Sequence, residues 1–241
     1  SAKRSRNVRR ITCSSSTAMT PAAQLRKFGT GPVSDALGKS GAMDHGIRPW
    51  SSNARMAGPA FTVQLHTADI LMVSKALAEC PKDHVLVIDG HGEPNTALWG
   101  GLTTMSAYRK GLAGIVIDGA IRDLADIRKS RLPVFARSVV PNAGGAEYAG
   151  LLQIPVSCGG MVVNPGDWLV GDDDGVVVIP KARLEATVAQ AARIVAAEKK
   201  IAAAIRNGVE IAELLRIDET LARKAKETFV PQLRVGANSS E

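Results

Sequence analysis

With 241 residues, 45% hydrophobic and 22% charged, the chain can bury a sizeable core as one domain, or as one domain with an appendage. Aromatic residues make up only 4%, so that core is built from Val, Ile, Leu and Ala. The formal net charge of +7 does not describe a nucleic-acid-binding face. Lys3, Arg4, Arg6, Arg9 and Arg10 precede the first acidic residue, and residues 11–241 carry only +2. Residues 1–19 therefore read as a disordered basic arm on a nearly neutral domain. The arm lacks the apolar run of a secretory signal peptide, while a transit-like segment stays open. Nowhere do eighteen apolar residues run together, so no membrane span is expected. Cys13, Cys80 and Cys158 are widely spaced without a CxxC pair, which speaks against a zinc knuckle or a disulfide framework. A reducing, cytoplasmic setting fits that cysteine usage.

The folded part opens at Thr20, an N-cap followed by Pro21 in the first turn, and AAQLRKF continues a helix to Gly29. Residues 34–38 read as a second short helix with Ser34 as its cap. Residues 41–55 read as a loop in which His45 is a surface residue. AFTVQLH (60–66) alternates as a half-buried strand, and residues 69–79 form an amphipathic helix that Pro81 closes, with Met72 filling core. HVLVID (84–89) is a buried strand that leads into a Gly90-His91-Gly92-Glu93 loop. That loop carries two groups able to bind a metal or a proton, although GHGEPN is also ordinary turn chemistry. A helix over residues 101–110 and a buried strand at GIVID (114–118) complete a βαβ unit across residues 85–118. A helix over 123–130 and a third strand at PVFAR (133–137) follow.

Residues 154–180 are rich in turns and strands. The acidic run Asp172-Asp173-Asp174-Gly175 lacks the alternating ligands of a calcium loop and reads as a hairpin turn. From Lys181 to Gly208 an Ala/Ile/Val stripe at helical spacing marks a long helix, with shorter helices at ELLRI and DETLARKAKE. Such a helix can lie on its own sheet or on a neighbouring subunit. The expected organisation is the arm (1–19), a catalytic domain (20–180) and a C-terminal helical extension (181–241).

The stretch most suggestive of chemistry is residues 101–126, which read as helix, buried strand and charged loop. At the exit of the buried strand stand Arg122 and Asp123, with Asp126 three residues on. Asp123 is a hard anionic ligand suited to Mg²⁺ or Mn²⁺, and an ion with few protein carboxylates keeps water positions that a substrate can take. Arg122 offers a permanent planar charge for a carboxylate or a developing oxyanion. The amides of Gly101, Leu102 and Thr103 at a helix start form an anion site. Together these groups suit a small 2-oxo acid whose enolate must be stabilised. A plain surface ion pair is the competing reading of Arg122 and Asp123.

The spacing from Gly101 through twenty residues to Arg122-Asp123, then two residues to Asp126, resembles the Gly-x20-Arg-Asp-x2-Glu/Asp signature of the RraA-like family, which includes 4-hydroxy-4-methyl-2-oxoglutarate/4-carboxy-4-hydroxy-2-oxoadipate aldolases. The blocks SDALG at Ser34, ALWGG at Ala97, GIVIDGAIRD at Gly114, PVFAR at Pro133, PGD at Pro165 and DDDGVVVIP at Asp172 are similar as well, over roughly residues 25–180.

The resemblance implies an α/β fold of layered α/β/β/α type and a metal-dependent retro-aldol cleavage that yields pyruvate, with oxaloacetate decarboxylation through the same enolate. By the same resemblance Asp123 holds Mg²⁺ or Mn²⁺, Arg122 contacts the substrate oxygen at the bond being cleaved, and the amides of Gly101, Leu102 and Thr103 bind the carboxylate. Glu93 and Asp126 stand behind these groups, and Glu198 on a neighbour's C-terminal helix is a candidate to complete the site. Homotrimers or homohexamers are implied, with no nucleic-acid or membrane partner. The same family includes a non-catalytic regulator of ribonuclease E activity. The long helical extension after Pro180 resembles the aldolase branch instead. The GHGEP loop lacks the glycine spacing of a nucleotide-type cofactor fold, so a methyltransferase reading finds no support.

Overall fold

A computed structural model describes residues 19–227; residues 1–18 of the basic arm, with Cys13, and residues 228–241 of the expected helical extension lie outside the described residues. The chain opens with α1 (Pro21–Phe28), α2 (Thr30–Ala36), β1 (Arg48–Pro49), β2 (Met56–Gln64) and α3 (Leu71–Glu79). There follow β3 (Val85–Trp99), α4 (Gly101–Lys110), β4 (Gly114–Ile121), α5 (Leu124–Lys129) and β5 (Val134–Val139). Five short strands come next: β6 (Leu151–Leu152), β7 (Val156–Cys158), β8 (Met161–Val163), β9 (Trp168–Asp172) and β10 (Gly175–Ile179). A 3-10 turn (Lys181–Arg183) then leads into α6 (Leu184–Arg206), α7 (Ile211–Leu214) and α8 (Ile217–Glu227).

Strand alternation builds four layers. In β4, Ile115 and Ile117 pack in one apolar cluster with Val73, Ala76 and Leu77 of α3, Ala107 of α4 and Ile127 of α5. Val116 between them joins Val87, Phe135, Leu169, Val176 and Val178 in a second cluster. In β10, Val177 and Ile179 turn the other way, to Leu25 of α1, Val33 of α2 and Ala191 of α6. Side chains at period two thus separate α3–α5, the β2–β5 sheet, the β9–β10 hairpin and α1, α2 and α6. The expected α/β/β/α layering is what forms.

β2 joins the two inner layers. Its first residues pair antiparallel with β9 (Met56↔Gly171 to Pro59↔Trp168), and its later ones pair parallel with β3 (Ala60↔Val85 to Gln64↔Asp89). This explains why β2 is buried on both faces, not half-buried as its alternation predicts. The expected βαβ unit is present, with β3, β4 and β5 parallel and α4 and α5 as their crossovers.

Two boundaries differ from expectation. The second helix begins at Thr30, not at Ser34. Its N-terminus is held by the buried Asp172, which accepts from Thr30 N at 2.8 Å and from Thr30 Oγ1 at 2.7 Å. The acidic run does form the hairpin turn, with Gly175 opposite Asp172, and its first carboxylate also serves as a cap from 142 residues away. The GHGEP segment is not a loop after a six-residue strand. It belongs to β3, whose extra residues bulge against β4 as register shifts between Asp89, Glu93, Ala97 and Trp99. Among the described residues, no helix is long and apolar enough to cross a membrane.

Candidate active site

The site grows out of the end of β3 and the end of β4. Trp99 closes β3, Gly100 is extended (φ −157°), and α4 starts at once with Gly101. A helix start leaves its first amides without acceptors one turn back. Hydroxyls hold this one in place: Trp99 Nε1 donates to Thr104 Oγ1 at 2.7 Å, and Thr104 Oγ1 donates to the Gly100 carbonyl at 2.8 Å. Thr103 Oγ1 accepts from Gly100 N at 3.0 Å.

From the other side, Arg122 N donates to the Trp99 carbonyl at 2.9 Å as β4 ends. Asp123 follows in the left-handed region (φ 57°, ψ 41°), uncommon for a residue with a Cβ and a strain that aspartate tolerates better than most. This reversal folds its carboxylate back onto α4, where Oδ2 accepts from Gly101 N at 2.9 Å. Arg122 Nε lies 3.8 Å from the same oxygen, with both side chains nearly half exposed. Gly100 makes the approach feasible: a Cβ there would stand 2.6 Å from Asp123 Oδ2.

Asp123 lines two neighbouring hollows that the α4 start shares. One, of about 210 Å³, is lined by Gly100, Leu102, Thr103, Arg122 and Asp123, and by Ile70, Val73 and Ser74 from the start of α3, the end of β3, and Ala143. The other, of about 690 Å³, lies between α4 and α5 and includes Gly101, Met105, Tyr108, Asp126, Lys129 and Arg131. Asp126 is therefore beside Asp123, but it faces the second hollow and pairs with Lys129 at 3.5 Å.

The structure thus gathers Gly101, Leu102, Thr103, Arg122, Asp123 and Asp126. It does not bring Glu93 to them: Glu93 sits on the bulged part of β3 opposite Gly119, and its Oε1 accepts from Asn95 N at 2.6 Å. Glu198 is an exposed residue of α6, a helix that packs on α1 and α2 at the far layer, so within one chain it stays away from Asp123. His91, the other group of interest in GHGEP, has its Nε2 2.8 Å from the Leu65 carbonyl. His45 is exposed, as expected. Cys80 and Cys158 are buried free thiols. Burial pushes Cys80 up to about 12, against a pull from Lys110, so it is core filling and no nucleophile. The residues that sequence reasoning missed are Ile70, Val73, Ser74 and Ala143. The first three carry a helical i, i+3, i+4 spacing, but nothing local says which neighbour that face meets.

A closed metal cage is absent from the described residues, where no three His, Cys, Asp or Glu side chains gather. What is present is one carboxylate with an oxygen free of hydrogen bonds to the chain, a second carboxylate beside it and a hollow opening onto both. That donor set suits Mg²⁺, which keeps several waters and takes one or two carboxylates plus substrate oxygens.

The fold is a four-layer α/β arrangement in which a glycine-opened helix start meets an Arg-Asp pair at a strand exit, groups whose chemistry suits a small anion. The family model described as Aldolase/RraA matches residues 30–178, and the chain belongs to this RraA-like family. A Halalkalibacterium halodurans protein named "Putative 4-hydroxy-4-methyl-2-oxoglutarate aldolase" is 40% identical over 162 residues, 67% of this chain and 77% of that protein. Among solved structures, an uncharacterised protein from Pseudomonas syringae pv. tomato aligns with TM-score 0.70 and 29% identity over 81% of this chain and 92% of its own. The RNA-processing inhibitor RraA from Thermus thermophilis aligns with TM-score 0.58 and 32% identity over 62% of this chain and 90% of its own.

Proposed function

We propose that the protein is a divalent-metal-dependent carbon–carbon lyase that cleaves a 4-hydroxy-2-oxo acid, such as 4-hydroxy-4-methyl-2-oxoglutarate, to pyruvate and a second carbonyl product. The observation that carries this reading is the 2.9 Å bond from Gly101 N to Asp123 Oδ2, which sets one carboxylate, the free amides of a helix start and a guanidinium around one hollow. The Leu102 and Thr103 amides hold the substrate's 1-carboxylate at the positive end of α4. Arg122 faces the oxygen on C4, where its planar donors stabilise developing charge. The 4-hydroxyl gives its proton to solvent, C4 becomes a carbonyl, and the electrons of the C3–C4 bond pass to the 2-oxo group as an enolate that takes a proton at C3. Asp123 would hold Mg²⁺ or Mn²⁺, whose charge supplies Lewis-acid stabilisation of that 2-oxo oxygen. Oxaloacetate decarboxylation passes through the same enolate and is expected as a side activity. A homotrimer or homohexamer, with Glu198 of a neighbour near Asp123, belongs to the same proposal.

The test is pyruvate release from oxaloacetate and from 4-hydroxy-4-methyl-2-oxoglutarate with Mg²⁺, then with EDTA. EDTA-sensitive release above the metal-only rate is the expected result. No release from folded protein would overturn the lyase reading in favour of a binding role. That second reading has its own support in the likeness to the Thermus RNA-processing inhibitor, since one fold can host both activities. The family match ends at residue 178, and α6–α8 lie beyond it.

A further inference from the structure

We propose that Trp99 and Thr104 are positioning residues. A buried chain of hydrogen bonds from the Trp99 indole through the Thr104 hydroxyl sets the Gly101 amide, and with it the Asp123 carboxylate. This rests on the lyase reading for what Asp123 does and adds to it what keeps that carboxylate in place.

Three hydrogen bonds and one peptide plane make the chain. Trp99 Nε1 donates to Thr104 Oγ1 at 2.7 Å, and Thr104 Oγ1 donates to the Gly100 carbonyl at 2.8 Å. At the far end Gly101 N donates to Asp123 Oδ2 at 2.9 Å. The link between them is covalent, because the Gly100 carbonyl and the Gly101 N–H belong to one planar peptide. Fixing the direction of the carbonyl therefore fixes the direction of the N–H. A threonine hydroxyl bonded to the carbonyl four residues back is common in helices. What sets this one apart is the indole behind it. An indole N–H can only donate, so Thr104 Oγ1 accepts from it and its own proton is left for the Gly100 carbonyl. Trp99 and Thr104 are 2% and 1% exposed, so bulk water competes for neither bond. In such surroundings each donor polarises the next, which makes the Gly101 N–H a stronger donor to the carboxylate. The same carbonyl accepts from Thr104 N at 3.0 Å and from Thr103 Oγ1 at 2.9 Å, so the first turn of α4 survives loss of the Thr104 hydroxyl. What is lost is the fixed tilt of the peptide.

That tilt matters because Asp123 has a second suitor. Arg122 Nε is 3.8 Å from the same Oδ2, near enough to claim it if Gly101 lets go. The carboxylate would then close on the guanidinium as a plain ion pair, and both groups would be lost to a ligand. Gly101 N and Arg122 thus compete for one oxygen, and the buried chain decides for Gly101.

The experiment uses the full chain with Mg²⁺ and compares Thr104→Val, which keeps the shape without the hydroxyl, with Thr104→Ser, which keeps the hydroxyl. Per folded molecule, kcat for pyruvate release should fall roughly 10–100-fold in the valine variant and stay within about 3-fold of wild type in the serine variant, as small misplacements of reacting groups are costly. Trp99→Phe, which frees the hydroxyl to turn, should fall between the two. Hydrogen exchange followed by NMR, without metal or substrate, reads the geometry apart from turnover. In Thr104→Val the Gly101 amide should exchange at least about 10-fold faster relative to Val116 in the middle of β4, whose amide reports any global loss of stability. Gly101 exchange that only keeps pace with Val116, or a valine variant with wild-type kcat, overturns the inference and makes Thr104 an ordinary structural hydroxyl. Selective loss of Gly101 protection, in a protein whose wild type releases no pyruvate, would sink the lyase reading and leave the positioning of Asp123 standing.

Discussion

Two Arg–Asp pairs stand on and just beyond the strand that leads to the site, with Asp118 on β4 paired to Arg137 of β5 and Arg122 and Asp123 after β4 ends, and they differ in how much of their bonding capacity is spent. Asp118, on β4, is buried; it accepts from Arg137 Nε through Oδ1 and from Gly159 N at 2.7 Å through Oδ2. Arg137 reaches on to Asp44 Oδ1 at 3.0 Å. Both oxygens of Asp118 are thus used to tie β4, β5 and the β7–β8 hairpin together. Asp123, five residues later, commits one oxygen to Gly101 N and holds Arg122 only at 3.8 Å, half in solvent. A carboxylate with both oxygens satisfied holds structure, and one with an oxygen to spare beside free amides can hold a ligand.

The largest expected effect comes from taking away the spare oxygen. Asp123→Ala should lower Mg²⁺-dependent pyruvate release by at least ~10³-fold while the thermal unfolding transition stays near that of wild type. Arg122→Ala should cost roughly 10²–10³-fold in kcat, as loss of a charge-stabilising donor does. Undiminished turnover in either variant removes that residue from the chemistry.

The structural pair should fail in the opposite way. Asp118→Ala leaves Arg137 and the Gly159 amide without their acceptor. We expect a loss of about 3 kcal/mol in urea unfolding, the low end for breaking a buried pair, because Arg137 keeps a quarter of its side chain in solvent. Activity per folded molecule should change little. A variant as stable as wild type but inactive would reverse the assignment of the two pairs.

Gly100→Ala tests the geometry alone. The backbone there is extended, so alanine fits the conformation, but its Cβ would press on Asp123 Oδ2. Displacing that carboxylate should reduce kcat/KM between about 10- and 100-fold, with stability close to wild type. A fully active variant would mean that the contact between Asp123 and the helix start is incidental.

Where these two regions were legible in the sequence follows from the range of the forces involved. α4 runs from Gly101 to Lys110 as its glycine start and Gly111 stop predict, and β4 shows as an apolar run bounded by glycine. Arg122, Asp123 and the Gly101 amide are linked by one βαβ unit, so their meeting follows from local order. Asp118 gave no such signal, because its partners lie 19 and 41 residues away. The sequence pattern ends β3 early because GHGEPN is good turn chemistry, and only pairing with β4 makes it strand. The true start of the second helix has no local signal, because its cap, Asp172, lies 142 residues further along the chain. Ile70, Val73, Ser74 and Ala143 were unreadable for the same reason, since the wall they form needs α3 and residues around 143 to be folded against α4.

Asp69 offers the smallest and sharpest test of this division, since it is a third carboxylate, this one fully committed, next to the Ile70 that lines the site. Burial opposes its charge, but the amides of Glu147, Leu71 and Tyr148 together outweigh that and hold its pKa below the ordinary 3.8. A pKa lowered by folding stabilises the native state above the unfolded value, and the contribution is lost as pH falls through the folded value. Asp69→Asn keeps the shape but has one acceptor oxygen where three amides compete for two. At pH 7 it should be less stable by about 1.5 kcal/mol, the low end for hydrogen bonds to a charged group, and the gap to wild type should narrow below about pH 4. Denaturant unfolding across that pH range reads the effect directly. A gap that stays constant down to pH 2 would mean that the carboxylate's charge contributes nothing and that shape alone holds residues 143–148 against α3.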